Sequence, residues 1–169
     1  MPADYELPGL TDSKKISPKK REQLAERIKD IALSWSVARA SVADIDRLNI
    51  LHASMLAMER AVDALTIRPH HVLVDGNRCP AWNYSSEAIV GGDALVAEIS
   101  AASILAKVCR DREMLDMAEQ YPGYGFEKHK GYPTREHLLA IERLGVTPEH
   151  RRSFGPVRAV IAQSRLDID

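Results

Sequence analysis

A chain of 169 residues, 45% hydrophobic and 28% charged, has the size and composition of one globular domain, which excludes a disordered or fibrous protein. A formal net charge of −1 and a pI near 6.6 give no global attraction to nucleic acid or anionic membrane, so a polyanionic partner would need a local basic patch. Cys79 and Cys109 lack C-x-x-C spacing, no signal-peptide pattern opens the chain and no apolar run is of membrane-spanning length. The expectation is one soluble, cytoplasmic domain over residues 1–169, monomeric and without a membrane partner.

The predicted elements follow in chain order. Residues 1–16 read as irregular, with a turn at Pro8-Gly9 and a polar run Asp12-Ser13-Lys14-Lys15. Ser17 and Pro18 are N-cap and first residue of a helix whose stripe is Leu24, Ile28 and Ile31, ending near Ala32. Leu33, Trp35 and Val37 alternate with Ser34, Ser36 and Ala38, the pattern of a half-buried strand. Ser41-Val42-Ala43-Asp44 is a capping box for a short turn of helix. A longer helix from Asn49 to Leu65 carries Leu51, Met55, Met58, Val62 and Leu65 on a core-packed face.

Val72-Leu73-Val74 runs into Asp75-Gly76, a buried strand closed by a turn, and Ala88-Ile89-Val90 reads as another strand broken by Gly91-Gly92. Asp93 is placed as N-cap of a long helix to about Gln120, with a first half of small residues suited to close packing and a solvated second half. Helices are also expected from Pro133-Thr134 to Leu144, with Gly145 following, and over Pro156–Gln163.

Ligands of open α/β sheets collect outside the carboxyl ends of strands, where Asp75 and Asp93 would stand. Two such acids suit a hard divalent cation, and two Mg²⁺ or Mn²⁺ ions are a common solution to phosphodiester hydrolysis. From spacing alone the alternative, that Asp75 closes a turn and Asp93 caps a helix, stays open. Between Tyr121 and Arg158 the basic residues Lys128, Lys130, Arg135, Arg143, Arg151, Arg152 and Arg158 outnumber the acids, and His129, His137 and His150 add to them. Mixed with Tyr121, Tyr124, Phe126 and Tyr132, such a patch suits a sugar–phosphate backbone, although a solvated basic face is the plainer reading. Gly131 and Pro133 fix the backbone around Tyr132, which is placed as an exposed probe. A H-E-x-x-H metal site, a G-x-S-x-G elbow and a G-K-[ST] phosphate loop are absent from the sequence.

Several blocks, in order, resemble bacterial ribonuclease HII: Asp12-Ser13-Lys14-Lys15, Val74-Asp75-Gly76-Asn77, Gly92-Asp93, Ile99 to Val108, Tyr121 to Phe126, His129 to Thr134 and His150 to Phe154. The resemblance covers about Gly9 to Ile161. It implies an α/β fold, a ribonuclease H-like mixed sheet flanked by helices with a helical carboxyl-terminal part. It further implies an endonuclease that cleaves the RNA strand of RNA–DNA hybrids and nicks duplex DNA beside an embedded ribonucleotide. Asp75 and Asp93 then correspond to the last two of four acids that bind two Mg²⁺ or Mn²⁺ ions. Tyr132 resembles the tyrosine that packs on the deoxyribose after the ribonucleotide, and Lys14 or Lys15, Ser100, Lys107 and Arg151 resemble phosphate contacts.

The family's opening strand, with an Asp-Glu pair followed by Gly-Arg-Gly, has no counterpart; Asp4 and Glu6 form no such pair and take no such role. The expectation is therefore an amino-terminally incomplete ribonuclease HII, its first strands missing and its cleavage impaired. The alternative is a non-catalytic nucleic-acid binding protein that keeps the hybrid-binding loops.

Overall fold

A computed structural model describes residues 1–2 and 4–166. Ser17 caps helix α1 (Pro18–Ile31) by accepting the Lys20 N–H, with Pro18 in the first turn where no donor is needed. One face of α1 buries Leu24, Ala25 and Ile28. Helix α2 (Val42–Asp63) is two helices joined at Asn49, whose φ of 68° breaks the ladder. Each half has its own cap. Ser41 and Asp44 exchange backbone-to-side-chain bonds at 3.0 and 3.1 Å, and Asn49 Oδ1 accepts from the N–H groups of Leu51 and His52.

Strands β1 (Val72–Asp75) and β2 (Ser86–Ile89) are parallel, in register from Val72 opposite Ser86 to Asp75 opposite Ile89, and form the two-stranded sheet of the described residues. Gly76 ends β1 at φ +123° and donates its N–H to Ile89 O, so the strand ends at the Asp75 carboxylate. A four-residue helix α3 (Gly92–Leu95) precedes α4 (Ala97–Gln120), followed by a single turn α5 (Phe126–His129), α6 (Arg135–Leu144) and α7 (Gly155–Leu166).

Contacts divide the chain into two compact units: residues up to Arg39 with Ser54–Cys109, and Ala40–Ala53 with the chain from Arg110 onward. The first is centred on Leu24, Ala25 and Ile28 of α1 against Ala101, Ile104, Leu105 and Val108 of α4, with Leu7 and Ile16 closing the cluster. The second is centred on Met114, Tyr124, Phe126, Ala140, Ile141 and Val157.

Four expectations need correction. The alternating segment after α1 bends at Leu33–Ser34 and pairs with no strand among the described residues, and Leu33, Trp35 and Val37 point outward while Ser34, Ser36 and Ala38 are half-buried. Alternation sorts a segment into two faces; only a neighbour decides which face is covered. The Met55, Met58, Val62 and Leu65 stripe is half-buried rather than core, and Leu51 is exposed. Asp93 lies inside α3 rather than capping a long helix, because Val96 adopts an extended conformation and interrupts the chain between α3 and α4. The second half of α4 is not simply solvated: Met114 is fully buried beside exposed Arg110 and Arg112.

Candidate functional site

The β1 end and the α3 start meet in the first unit. Asp75 Oδ1 accepts the Gly92 N–H at 2.9 Å, so the exposed carboxylate is held against the residue that immediately precedes Asp93. Gly92 is buried, and a Cβ built there would lie 2.5 Å from Ile99 Cδ1 and 3.5 Å from Asp75 Oδ1; the close approach requires glycine. Asp93 is half-buried in the first turn of α3. The pair offers hard oxygen donors on adjoining elements, the donor type that Mg²⁺ and Mn²⁺ take. Among the described residues no group of three or more His, Cys, Asp or Glu is placed to hold a metal, so the two acids are a partial set.

The lysines lie on a tied-down segment of the same unit. The Lys14 N–H bonds Asp12 Oδ1, Ser13 Oγ meets Ser103 Oγ at 2.9 Å, and the Arg21 guanidinium donates to the carbonyls of Ser13 and Ile16. Lys14 and Lys15 are thereby left exposed on a fixed backbone. Ser100 is 3% exposed and its hydroxyl donates to Thr11 O, so here it fastens this segment to α4. Lys107 is half-buried on α4.

In the second unit Tyr132 is 61% exposed, yet both of its peptide groups are fixed. Its N–H donates to His129 O at 2.9 Å and its carbonyl accepts from the Thr134 N–H and His137 Nδ1. Lys130 (φ +53°) and Gly131 (φ +83°) make the left-handed turn that presents it. Arg151 is half-buried with its guanidinium 5.4 Å from the Phe154 ring centre. Beside it the Asp46 carboxylate accepts the N–H groups of Arg152 and Ser153 and the Ser153 hydroxyl. These bonds, Ser153 foremost, hold the Asp46 carboxyl below the usual carboxylate range. Sequence reasoning missed Asp46, since its partners lie more than a hundred residues away.

The basic patch is narrower than its sequence. Of its four aromatics Tyr124 and Phe126 are core residues, and only Tyr132 is exposed. His129, His137 and His150 are buried about Phe126, the first two edge-on to its ring and the third tilted, so they do not extend the exposed basic surface. Burial lowers His137, and burial followed by the neighbouring His137 lowers His150 to about 4. A cleft of about 620 Å³ on this unit is lined by Tyr124, Lys128, Glu136, Arg143 and their neighbours, and by none of the predicted site residues.

A histidine whose pKa is lower folded than unfolded stabilises the fold above its unfolded value near 6.5, and that stability is lost as pH falls through the window toward 4. The urea midpoint is expected to drop on acidification across this range, with a shallower slope in His150→Gln, which cannot take up the proton. Equal slopes would contradict the assignment.

The fold is that of a ribonuclease H-type α/β hydrolase. Ribonuclease H2 from Pyrococcus horikoshii superposes with a TM-score of 0.77 and 26% identity over 93% of this chain and 82% of that one. Ribonuclease HII of Neisseria meningitidis serogroup B is 58% identical over 167 residues, 98% of this chain and 86% of the relative, and that of serogroup A is 57% identical over the same share. The family description Ribonuclease HII matches residues 4–157. This chain belongs to the ribonuclease HII family of endonucleases. Among the described residues no helix is long and apolar enough to cross a membrane.

Proposed function

We propose that this chain is a cytoplasmic endonuclease that cleaves the RNA strand of RNA–DNA hybrids and nicks duplex DNA at an embedded ribonucleotide. The observation that supports the reading is the 2.9 Å bond from the Gly92 N–H to Asp75, which holds that carboxylate against the residue preceding Asp93. Asp75 and Asp93 would hold Mg²⁺ or Mn²⁺. Such an ion, when bound, supplies an activated water and stabilisation of the leaving oxygen. Lys14 or Lys15, Lys107 and Arg151 neutralise substrate phosphates, and Ser100, which resembles a further phosphate contact, braces the Lys14 segment through Thr11 O. Tyr132 packs its exposed ring on the sugar that follows the ribonucleotide, a role suited to an aromatic whose backbone cannot move.

Because two acids are a thin set for such ions, turnover by the 169-residue chain is expected to be weak. That same observation favours the second reading, a hybrid-binding protein without cleavage. Incubation of a duplex bearing one ribonucleotide with Mg²⁺ or Mn²⁺, against an EDTA control, separates the cases. Slow metal-dependent nicking supports the enzyme; robust nicking overturns the impairment; binding that persists in EDTA with no nicking in either metal supports the binding protein. In the EDTA binding arm Tyr132→Ala is expected to weaken affinity by about 5- to 150-fold, the range for loss of an aromatic packing partner of a nucleotide. An unchanged Kd would remove Tyr132 from the site.

A further inference from the structure

The hydrogen bonds of the buried imidazoles dictate their tautomers. The Thr147 N–H donates to His150 Nδ1 at 3.0 Å, so Nδ1 carries a lone pair and the proton of neutral His150 is on Nε2. His150 Nε2 lies 3.1 Å from His137 Nε2, which must therefore accept. The proton of His137 is then on Nδ1, and Nδ1 faces the Tyr132 carbonyl at 2.9 Å, a group that can only accept. The Tyr132 carbonyl, which must accept, thus requires the same two tautomers as the Thr147 N–H, which must donate. The Thr147 hydroxyl, which accepts from the Glu149 N–H, also lies 2.8 Å from His150 Nδ1. His129 completes the arrangement: Gly131 N–H donates to its Nδ1, leaving Nε2–H for the Tyr124 carbonyl at 2.8 Å.

The geometry points to a directional relay, Thr147 to His150 to His137 to the Tyr132 carbonyl, in which His137 and His150 are positioning residues that aim the Tyr132 ring at its nucleotide. His129 supports it from the other side, since its carbonyl holds the Tyr132 N–H and its ring stacks on His137 with centres 4.2 Å apart. The facing nitrogens share one proton, donated by His150 Nε2 to the lone pair of His137 Nε2, so this pair is committed to a hydrogen bond rather than to a metal. A second proton on His137 would set two N–H groups head to head, and one on His150 Nδ1 would oppose the Thr147 N–H. The titratable neighbours facing the pair are His129 from α5 and the Tyr124 phenol, and burial and the mutual proximity of the imidazoles keep His137 and His150 neutral. The exposed tyrosine is thus fixed from beneath by groups that stay uncharged near neutral pH, which suits a surface that meets a polyanion.

The inference rests on the reading of Tyr132 as a nucleotide-packing residue, and the experiment separates the two. Long-range ¹H–¹⁵N spectra of the folded chain at pH 7 are expected to show His137 as the Nδ1–H tautomer and His150 and His129 as Nε2–H. Any other tautomer for His137 or His150, or a charged ring, overturns the relay without reference to function. Affinity for an RNA–DNA hybrid in EDTA is expected to fall about 3- to 10-fold in His137→Phe, the scale of one lost hydrogen bond. It should recover in His137→Asn, whose amide reproduces the Nδ1 donor, and His137→Phe should add nothing to Tyr132→Ala. An unchanged His137→Phe affinity beside a weakened Tyr132→Ala overturns the positioning role. An unchanged Tyr132→Ala overturns the reading of Tyr132 beneath it, with the tautomers still deciding the relay.

Discussion

Asp75→Asn is expected to fold normally and to bind Mn²⁺ more weakly than the parent chain by well over about tenfold. The substitution is chosen because it separates charge from structure. Asn keeps an Oδ1 able to accept the Gly92 N–H, the β1–β2 ladder is a backbone pairing that the side chain does not enter, and position 75 is exposed. What is lost is the anionic oxygen. Loss of a residue that merely orients a metal ligand weakens binding about 10- to 100-fold, so loss of a ligand itself should do at least as much. Titration calorimetry with Mn²⁺, beside urea unfolding of both proteins, reads the two properties separately. Matching Mn²⁺ affinities would return Asp75 to the role of a turn residue.

Gly92→Ala is expected to damage stability and metal binding together. The backbone of Gly92 needs no positive φ, so the objection to alanine is steric: its Cβ would sit 2.5 Å from Ile99 Cδ1 and 3.4 Å from Ile99 Cγ2. Ile99 is itself buried and has little room to yield. Overpacking of this kind costs about 1–3 kcal/mol, and relief by moving the chain would draw the Gly92 N–H away from Asp75. The double variant Gly92→Ala/Ile99→Val, which deletes the offending Cδ1, is expected to recover much of both properties. No recovery would mean that the crowding lies elsewhere. The neighbouring Gly91 provides the contrast, since a Cβ there meets nothing within 4 Å and only its φ of +68° resists a side chain. Gly91→Asn, a residue that tolerates this conformation, is expected to be close to neutral in both assays.

The amino-acid sequence by itself determined what is encoded over a few neighbouring residues. The Ser17-Pro18 helix start, the Ser41/Asp44 box, Asn49 as the start of a second helical stretch, the β1 run into Asp75-Gly76 and the helix start at Pro133-Thr134 were all legible, because caps, turns and short ladders are satisfied by local hydrogen bonds. The pairing of acids at Asp75 and Asp93 was legible as a candidate for the same reason: strand ends and glycine breaks are written in the chain. Tertiary structure alone decided which faces are covered and what the buried polar groups do. Leu33, Trp35 and Val37 alternate correctly yet face outward, Ser100 is held by Thr11, and Asp46 is clasped by Arg152 and Ser153. Most plainly, three histidines that count as part of a basic stretch in the sequence become buried, interlocked rings beneath Tyr132. Charge state and burial depend on neighbours brought together by folding, and no spacing within the chain records them.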